Sequence, residues 1–272
     1  GLKRSKQMAV DIIDYEIIGD DLQAVVVTLD PGEAVVAEAG AMMYMEDGVN
    51  MGTSLSMKQD AGGVFGKLFE AGKRLMVGES FFITMFANEG ASRRDVAFAA
   101  PYPGHVVPIE LGDHAGQLLC QKDAFLCAAR GVEVDIAFTK RFGVGFFGGE
   151  GFILQKLTAS GGQGQVFLHA GGSVMRHDLA AGEVLRVDTG CLVAFEQGVE
   201  YDIQFVPGIK NAIFGGEGLF FVKMTGPGAV WLQTLPFSRL ADRIIASAPR
   251  AGGRQKGEGS VLGGVWRMMD GR

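Results

Sequence analysis

Cysteine, histidine and tryptophan are scarce in these 272 residues, and each scarcity removes a class of function. Cys120, Cys127 and Cys191 form an odd set, without the density of a disulfide scaffold or the paired close spacing of a zinc ribbon. The chain therefore suits a reducing cytoplasm. His105, His114, His169 and His177 are its only histidines, and none stands in the His-X-His pattern that places two ligands on one strand face. They read as surface or turn residues, although His169 and His177 can meet His105 or His114 across turns. No metal and no cofactor is expected. Gly-X-Ser-X-Gly is absent, and Gly143–Gly149 (GVGFFGG) lacks the Lys-Ser/Thr that makes a glycine-rich turn a phosphate cradle. With no catalytic set, the expectation is a protein that is not an enzyme.

Long apolar runs are missing as well. No stretch reaches the roughly 18 residues that span a bilayer as a helix, and residues 1–7 lack the apolar core of a signal peptide. Positive charge is short overall, at a net −6, and it is unevenly placed. Residues 237–272 hold seven Lys/Arg against three Asp/Glu, so the body before them carries −10. Phosphate backbones need cations gathered on one face, so a nucleic-acid partner is excluded.

Glycine and apolar residues are abundant instead, at 42 glycines and 47% AVILMFWYC. The glycines fall singly or in pairs between short apolar runs, as turns between strands require. Gln23–Leu29 (QAVVVTL), Phe152–Leu157 and Val184–Asp188 are β-branched or aromatic and bounded by turns such as Asp30-Pro31-Gly32 and Ala181-Gly182. The fold class is all-β.

Three segments align with one another: 29–49, 111–132 and 179–199, each ending in Gly-Val. Setting Gly48, Gly131 and Gly198 in register puts Gly40, Asp123 and Gly190 eight residues upstream in every copy. Downstream come three Gly-Glu pairs, at Glu79, Glu150 and Glu217, each opening an apolar strand. The spacing from Gly-Val to Gly-Glu is 18 residues in the second and third copies and 30 in the first, which therefore carries a 12-residue insertion. The expected organisation is repeat one over 8–110, repeat two over 111–178, repeat three over 179–236, and a C-terminal helix with a Gly-rich tail over 237–272. A single small unit cannot hide its own sheet edges, so the three are expected to pack as a pseudo-threefold barrel or sandwich.

Two windows carry helical rather than strand periodicity. In the insertion, Phe65, Leu68, Phe69, Leu75 and Met76 form an apolar stripe opposite Lys67, Lys73 and Arg74. Such a stripe either meets a membrane surface or a partner, or caps the barrel end. The second window is Phe237, Leu240, Ala241, Ile244, Ile245 and Ala248, with Ser238 as cap and Pro249 as stop. By repetition Glu79, Glu150 and Glu217 occupy equivalent places, where three carboxylates repel unless hydrated, paired or bound to a ligand. They are the candidate ligand-binding residues; the alternative is that each accepts backbone N–H groups at its own turn.

The GGEGF and GGEGLFF segments, AEAGAMMYM, VGESFFITMF and the Gly-rich tail together resemble the altered-inheritance-of-mitochondria family whose yeast member is numbered twenty-four. The resemblance covers nearly the whole chain. It implies a β-rich fold similar to the tryptophan RNA-binding attenuation protein, present in several copies, and it supplies no catalytic residues. The family's mitochondrial member is associated with inner-membrane organisation. The expected role is a non-enzymatic scaffold or membrane-periphery protein that binds a protein partner or itself. The alternative is a β-barrel binding a small ligand or metal.

Overall fold

A computed structural model describes residues 11–53, 83–140, 151–206 and 219–247. Among the described residues the fold is all-β with one α-helix, near their C-terminal end. The first run of strands is β1 (Asp14–Ile18), β2 (Ala24–Leu29), β3 (Ala34–Glu38), β4 (Met42–Met45), β5 (Val49–Thr53), β6 (Ile83–Asn88) and β7 (Arg94–Ala99). The second is β8 (Gly104–Glu110), β9 (Gln117–Gln121), β10 (Phe125–Ala129), β11 (Val132–Lys140), β12 (Phe152–Ala159) and β13 (Gln165–Gly171). The third is β14 (Val174–Leu179), β15 (Val184–Asp188), β16 (Leu192–Glu196), β17 (Glu200–Val206), β18 (Leu219–Thr225) and β19 (Gly228–Gln233), followed by α1 (Phe237–Ser247).

One pairing order recurs in all three runs. One sheet of each run is ordered β2-β7-β4, β8-β13-β10 or β14-β19-β16; the facing sheet is β3-β6-β5, β9-β12-β11 or β15-β18-β17. Strand β1 adds to the outside of β2. Neighbouring runs are joined by β3 pairing with β10 and by β9 pairing with β16, which produces two six-stranded sheets. The joined strands are apolar on both faces for that reason: every residue of β10 is buried, and so is all of β16 but its last residue. By contrast, β2 alternates half-buried and buried residues, with Val25, Val27 and Leu29 at 0% exposure turned to the core.

Turn chemistry sets the register. Between β2 and β3, the Glu33 amide donates to the Asp30 carbonyl, while the Asp30 amide donates to Glu33 Oε2 at 2.8 Å. Between β14 and β15 the Glu183 amide and Ala180 carbonyl, and the Ala180 amide and Glu183 Oε2, repeat the same pair of bonds. Both turns need a left-handed residue, supplied by Gly32 at φ 87° and Gly182 at φ 78°. The Gly-Val signals fall in the turns after β4, β10 and β16. Each of those three strands also skips one residue in its pairing, at Met43, Leu126 and Val193.

The helix starts at Phe237, one residue before the expected Ser238 cap, and its first turn is closed by Arg239 and Leu240 amides donating to the Pro236 carbonyl. Ser238 is thus within the first turn. The Val64–Met76 helical expectation, with Phe65, Leu68, Phe69, Leu75 and Met76, lies outside the described residues. Among the described residues no helix is long and apolar enough to cross a membrane.

Candidate functional site

Strands β3, β9 and β15 each end in a polar residue, Glu38, Gln121 and Asp188, and run into a single 3-10 turn: Ala39–Ala41, Lys122–Ala124 and Thr189–Cys191. The central residues of those turns are Gly40, Asp123 and Gly190, the positions that the internal alignment brings into register. All three line one cavity of about 470 Å³. Its walls are completed by the Ala100-Pro101-Tyr102 link between β7 and β8, by Gly151 and Ile153, by His169 and Gln233, and by Phe237, Ala241 and Ile245 of α1. The size falls within the range of small-molecule sites.

His169, on β13, is 2% exposed. Its ring stands edge-on to Tyr102 with centroids 4.5 Å apart, and Tyr102 in turn meets Phe237 of α1 at 5.3 Å. Burial, reinforced by the neighbouring His105 and opposed by a hydrogen bond to the Tyr102 backbone, lowers the imidazole from 6.5 to about 4. The ring is therefore neutral at physiological pH. A bond that favours the charged imidazole is one the ring donates, so one nitrogen carries the proton toward Tyr102 and Nδ1 keeps its lone pair. Nδ1 has no hydrogen-bond partner in the structure. A buried acceptor without a donor costs about 1–3 kcal/mol, and this one is sealed from contact with water.

The equivalent place on β19 is Gln233: Phe125 pairs with Leu168 and Leu192 with Leu232, one residue before each. Gln233 is fully engaged, accepting from the Gly171 amide at 2.7 Å and donating to the Gly190 carbonyl at 2.8 Å. It clamps two walls of the cavity, whereas His169 leaves a functional group uncommitted. Burial, aided by the charges of Asp123 and Glu38, holds the Tyr102 hydroxyl well above its ordinary range, so that side chain stays neutral. At the rim, Arg239 of α1 pairs with Asp188 at 3.1 Å; pairs this exposed contribute up to about 1 kcal/mol. Asp188 also accepts from the Gly190 amide at 2.9 Å, holding the third turn in shape.

Glu79, Glu150 and Glu217 lie outside the described residues, as do the five apolar residues of the insertion. The histidines depart from the surface-or-turn reading at His169, which is on a fully buried strand. His105 does approach it, since β8 and β13 pair Ala170 with His105, but the His105 Nδ1 is bonded to the Gly172 carbonyl at 2.6 Å. His114 bonds to Glu196 at 2.6 Å and packs edge-on to Trp231. Among the described residues no three or more His, Cys, Asp or Glu are grouped to hold a metal.

Comparison with known proteins agrees with the architecture. The profile of a family described as mitochondrial biogenesis AIM24 matches residues 15–235, and the chain belongs to that family. An uncharacterized protein of Streptococcus pyogenes serotype M6 is 29% identical over 224 residues, covering 82% of this chain and 86% of its own length. The crystal structure of a Streptococcus pyogenes protein solved by a structural genomics consortium superposes with a TM-score of 0.65 at 23% identity. The match spans 87% of this chain and all of that one, and it shows the shared fold.

Proposed function

We propose that this AIM24-family chain, built of three copies of one β unit, is a non-enzymatic binding scaffold. Its cavity takes a small, predominantly apolar molecule carrying one hydrogen-bond donor. The observation that supports this reading is the cavity of about 470 Å³, lined by apolar side chains such as Phe125, Leu126, Ile153 and Phe237 beside the acceptors Glu38 and Asp123. The His169 imidazole, held at about 4, is a poor proton acceptor for catalysis near neutrality. Matched probes separate the two contributions. 2-Naphthol is expected to bind saturably by fluorescence titration, and more tightly than naphthalene, which lacks the hydroxyl. Asp123→Ala should weaken naphthol binding about tenfold, the equivalent of about 1.4 kcal/mol, and leave naphthalene nearly unchanged. Ala241→Trp, which fills the cavity from α1, should abolish both. Absence of saturable binding by either probe would remove this reading.

A second reading has its own support. Phe237, Ile244 and Ile245 of α1 are 50%, 61% and 71% exposed, and residues 237–272 carry net +4. An apolar helix face beside positive charge suits an anionic membrane surface. Flotation with phosphatidylserine-containing vesicles is expected to carry the intact protein upward, and Ile244→Asp/Ile245→Asp to leave it at the bottom. Deleting residues 64–76 asks the same of the insertion. Failure of the intact protein to float would set the membrane reading aside.

A further inference from the structure

Exposure divides the cavity into a floor and a mouth. Phe125, Leu126 and His169 are each 2% exposed and Gln121 is 5% exposed, so these residues form the floor. The exposed lining falls in two groups: Glu38, Gly40 and Asp123 of the first two turns, and Phe237 and Ile245 of α1. The third turn does not share that exposure. Gly190 is buried, and a Cβ on it would meet Pro236 at 3.4 Å. The chain entering α1 therefore lies over the third turn, and the helix runs from there across the mouth.

The incomplete repetition of the seams leaves room for it. Strand β3 joins β10 and β9 joins β16, whereas the equivalent β15 and β4 are, among the described residues, the outermost strands of their sheets. The turns after β15 and before β4 both line the cavity, with α1 beside them. The helix is unevenly attached. Up to Leu235 the body grips the chain: the Thr234 amide donates to the Ser173 carbonyl at 3.1 Å, and the Leu235 amide to the Gly171 carbonyl at 3.0 Å. Beyond Pro236 the grip is slight, because none of the eleven residues of α1 is buried. Phe237 meets the Tyr102 ring, and Arg239 pairs with Asp188 at 3.1 Å. Isolated helices shorter than about 12–15 residues are marginal in water. Segments with few buried contacts also open far more readily than the fold as a whole.

We infer that α1 is a hinged gate over the cavity, turning about Pro236, with Arg239 on Asp188 as its latch. Entry to the floor passes between the helix and the first two turns. Opening is a property of the chain without ligand; its service to a ligand rests on the binding reading above.

A thiol on the floor reports the gate directly. Gln121→Cys is made in a chain that also carries Cys191→Ala, alanine being the residue of the other two copies at that position, Ala41 and Ala124. Alkylation by uncharged iodoacetamide is followed by mass spectrometry. Cys127, fully buried in β10, is the internal marker of global unfolding and of any misfolded variant. The introduced thiol is expected to react at least about tenfold faster than Cys127, as local opening requires. Asp188 also shapes the third turn through the Gly190 amide, so Arg239 is the half of the latch to remove. Arg239→Ala should speed the reaction a further three- to fivefold or about the factor that an exposed ion pair is worth, and Arg239→Lys should stay near the parent. Raising salt from about 20 mM to about 500 mM screens the latch, so it should speed the parent and not Arg239→Ala. Equal rates at the introduced thiol and Cys127 would overturn the inference, because the floor would then open only with the whole fold. A rate indifferent to both Arg239 and salt would overturn it too, by placing entry elsewhere. Saturating 2-naphthol should slow the reaction; gating without that protection would keep the gate and remove the ligand.

Discussion

Gly104→Ala is expected to lower stability by about 3 kcal/mol or more, seen in calorimetry as a fall of about 6–12 °C in the unfolding midpoint. Gly104 opens β8 and lies where all three runs meet, bridging Leu22 on one side and Gly172 on the other. Its carbonyl also accepts from the Gln23 amide at 3.0 Å. A Cβ there would stand 2.1 Å from the Ala170 carbonyl oxygen and 2.6 Å from His169 Nε2. The first atom is backbone in a fully buried strand, so relief requires β8 and β13 to part. The second belongs to the His169 ring, so the variant should also shift a residue that lines the cavity. Gly40→Ala is the matched control on the opposite wall. Its Cβ would meet nothing within 4 Å, and its φ is not left-handed, so stability should change by less than about 0.5 kcal/mol. A Gly104→Ala midpoint as high as the control's would show that this junction is loosely packed.

Much of the architecture is legible in local chemistry. Strands at 23–29, 152–157 and 184–188 are bounded by residues whose turns need particular backbone angles, and the observed β2, β12 and β15 agree within a residue or two. The C-terminal helix is legible because Leu240, Ala241, Ile244 and Ile245 recur at helical spacing, and its first turn differs only because the Pro236 carbonyl closes it. The site is another matter. Gly40, Asp123 and Gly190 can be aligned from sequence, but their meeting in one cavity depends on two seams between distant strands, which no local signal encodes. His169 is surrounded by apolar residues in QVFLHAGG, a hint that it is buried; that its Nδ1 lacks a partner depends on Tyr102 and Gly104, far away in the chain. Repetition drew attention to three glutamates, while the chemistry of the cavity rests on the place where the copies differ, with histidine on β13 and glutamine on β19.

That difference makes the acid sensitivity of the protein predictable. An unfolded chain protonates His169 near 6.5, whereas the folded chain resists until about 4, because the charged ring would be buried beside His105. As pH falls through this window the unfolded state takes up the proton first, so folding stability declines with it. The contribution is fully present above 6.5 and lost progressively toward 4, by which point the loss has reached about 3 kcal/mol. Urea midpoints of the parent and of His169→Gln, compared at pH 7.5 and 4.5, should isolate it. Glutamine is the residue that the third run uses at this position, and its amide can donate to the Tyr102 carbonyl as the imidazole does. The parent is expected to lose about 2–3 kcal/mol more than the variant between the two pH values. Equal losses would mean that His169 is hydrated and titrates as an ordinary histidine.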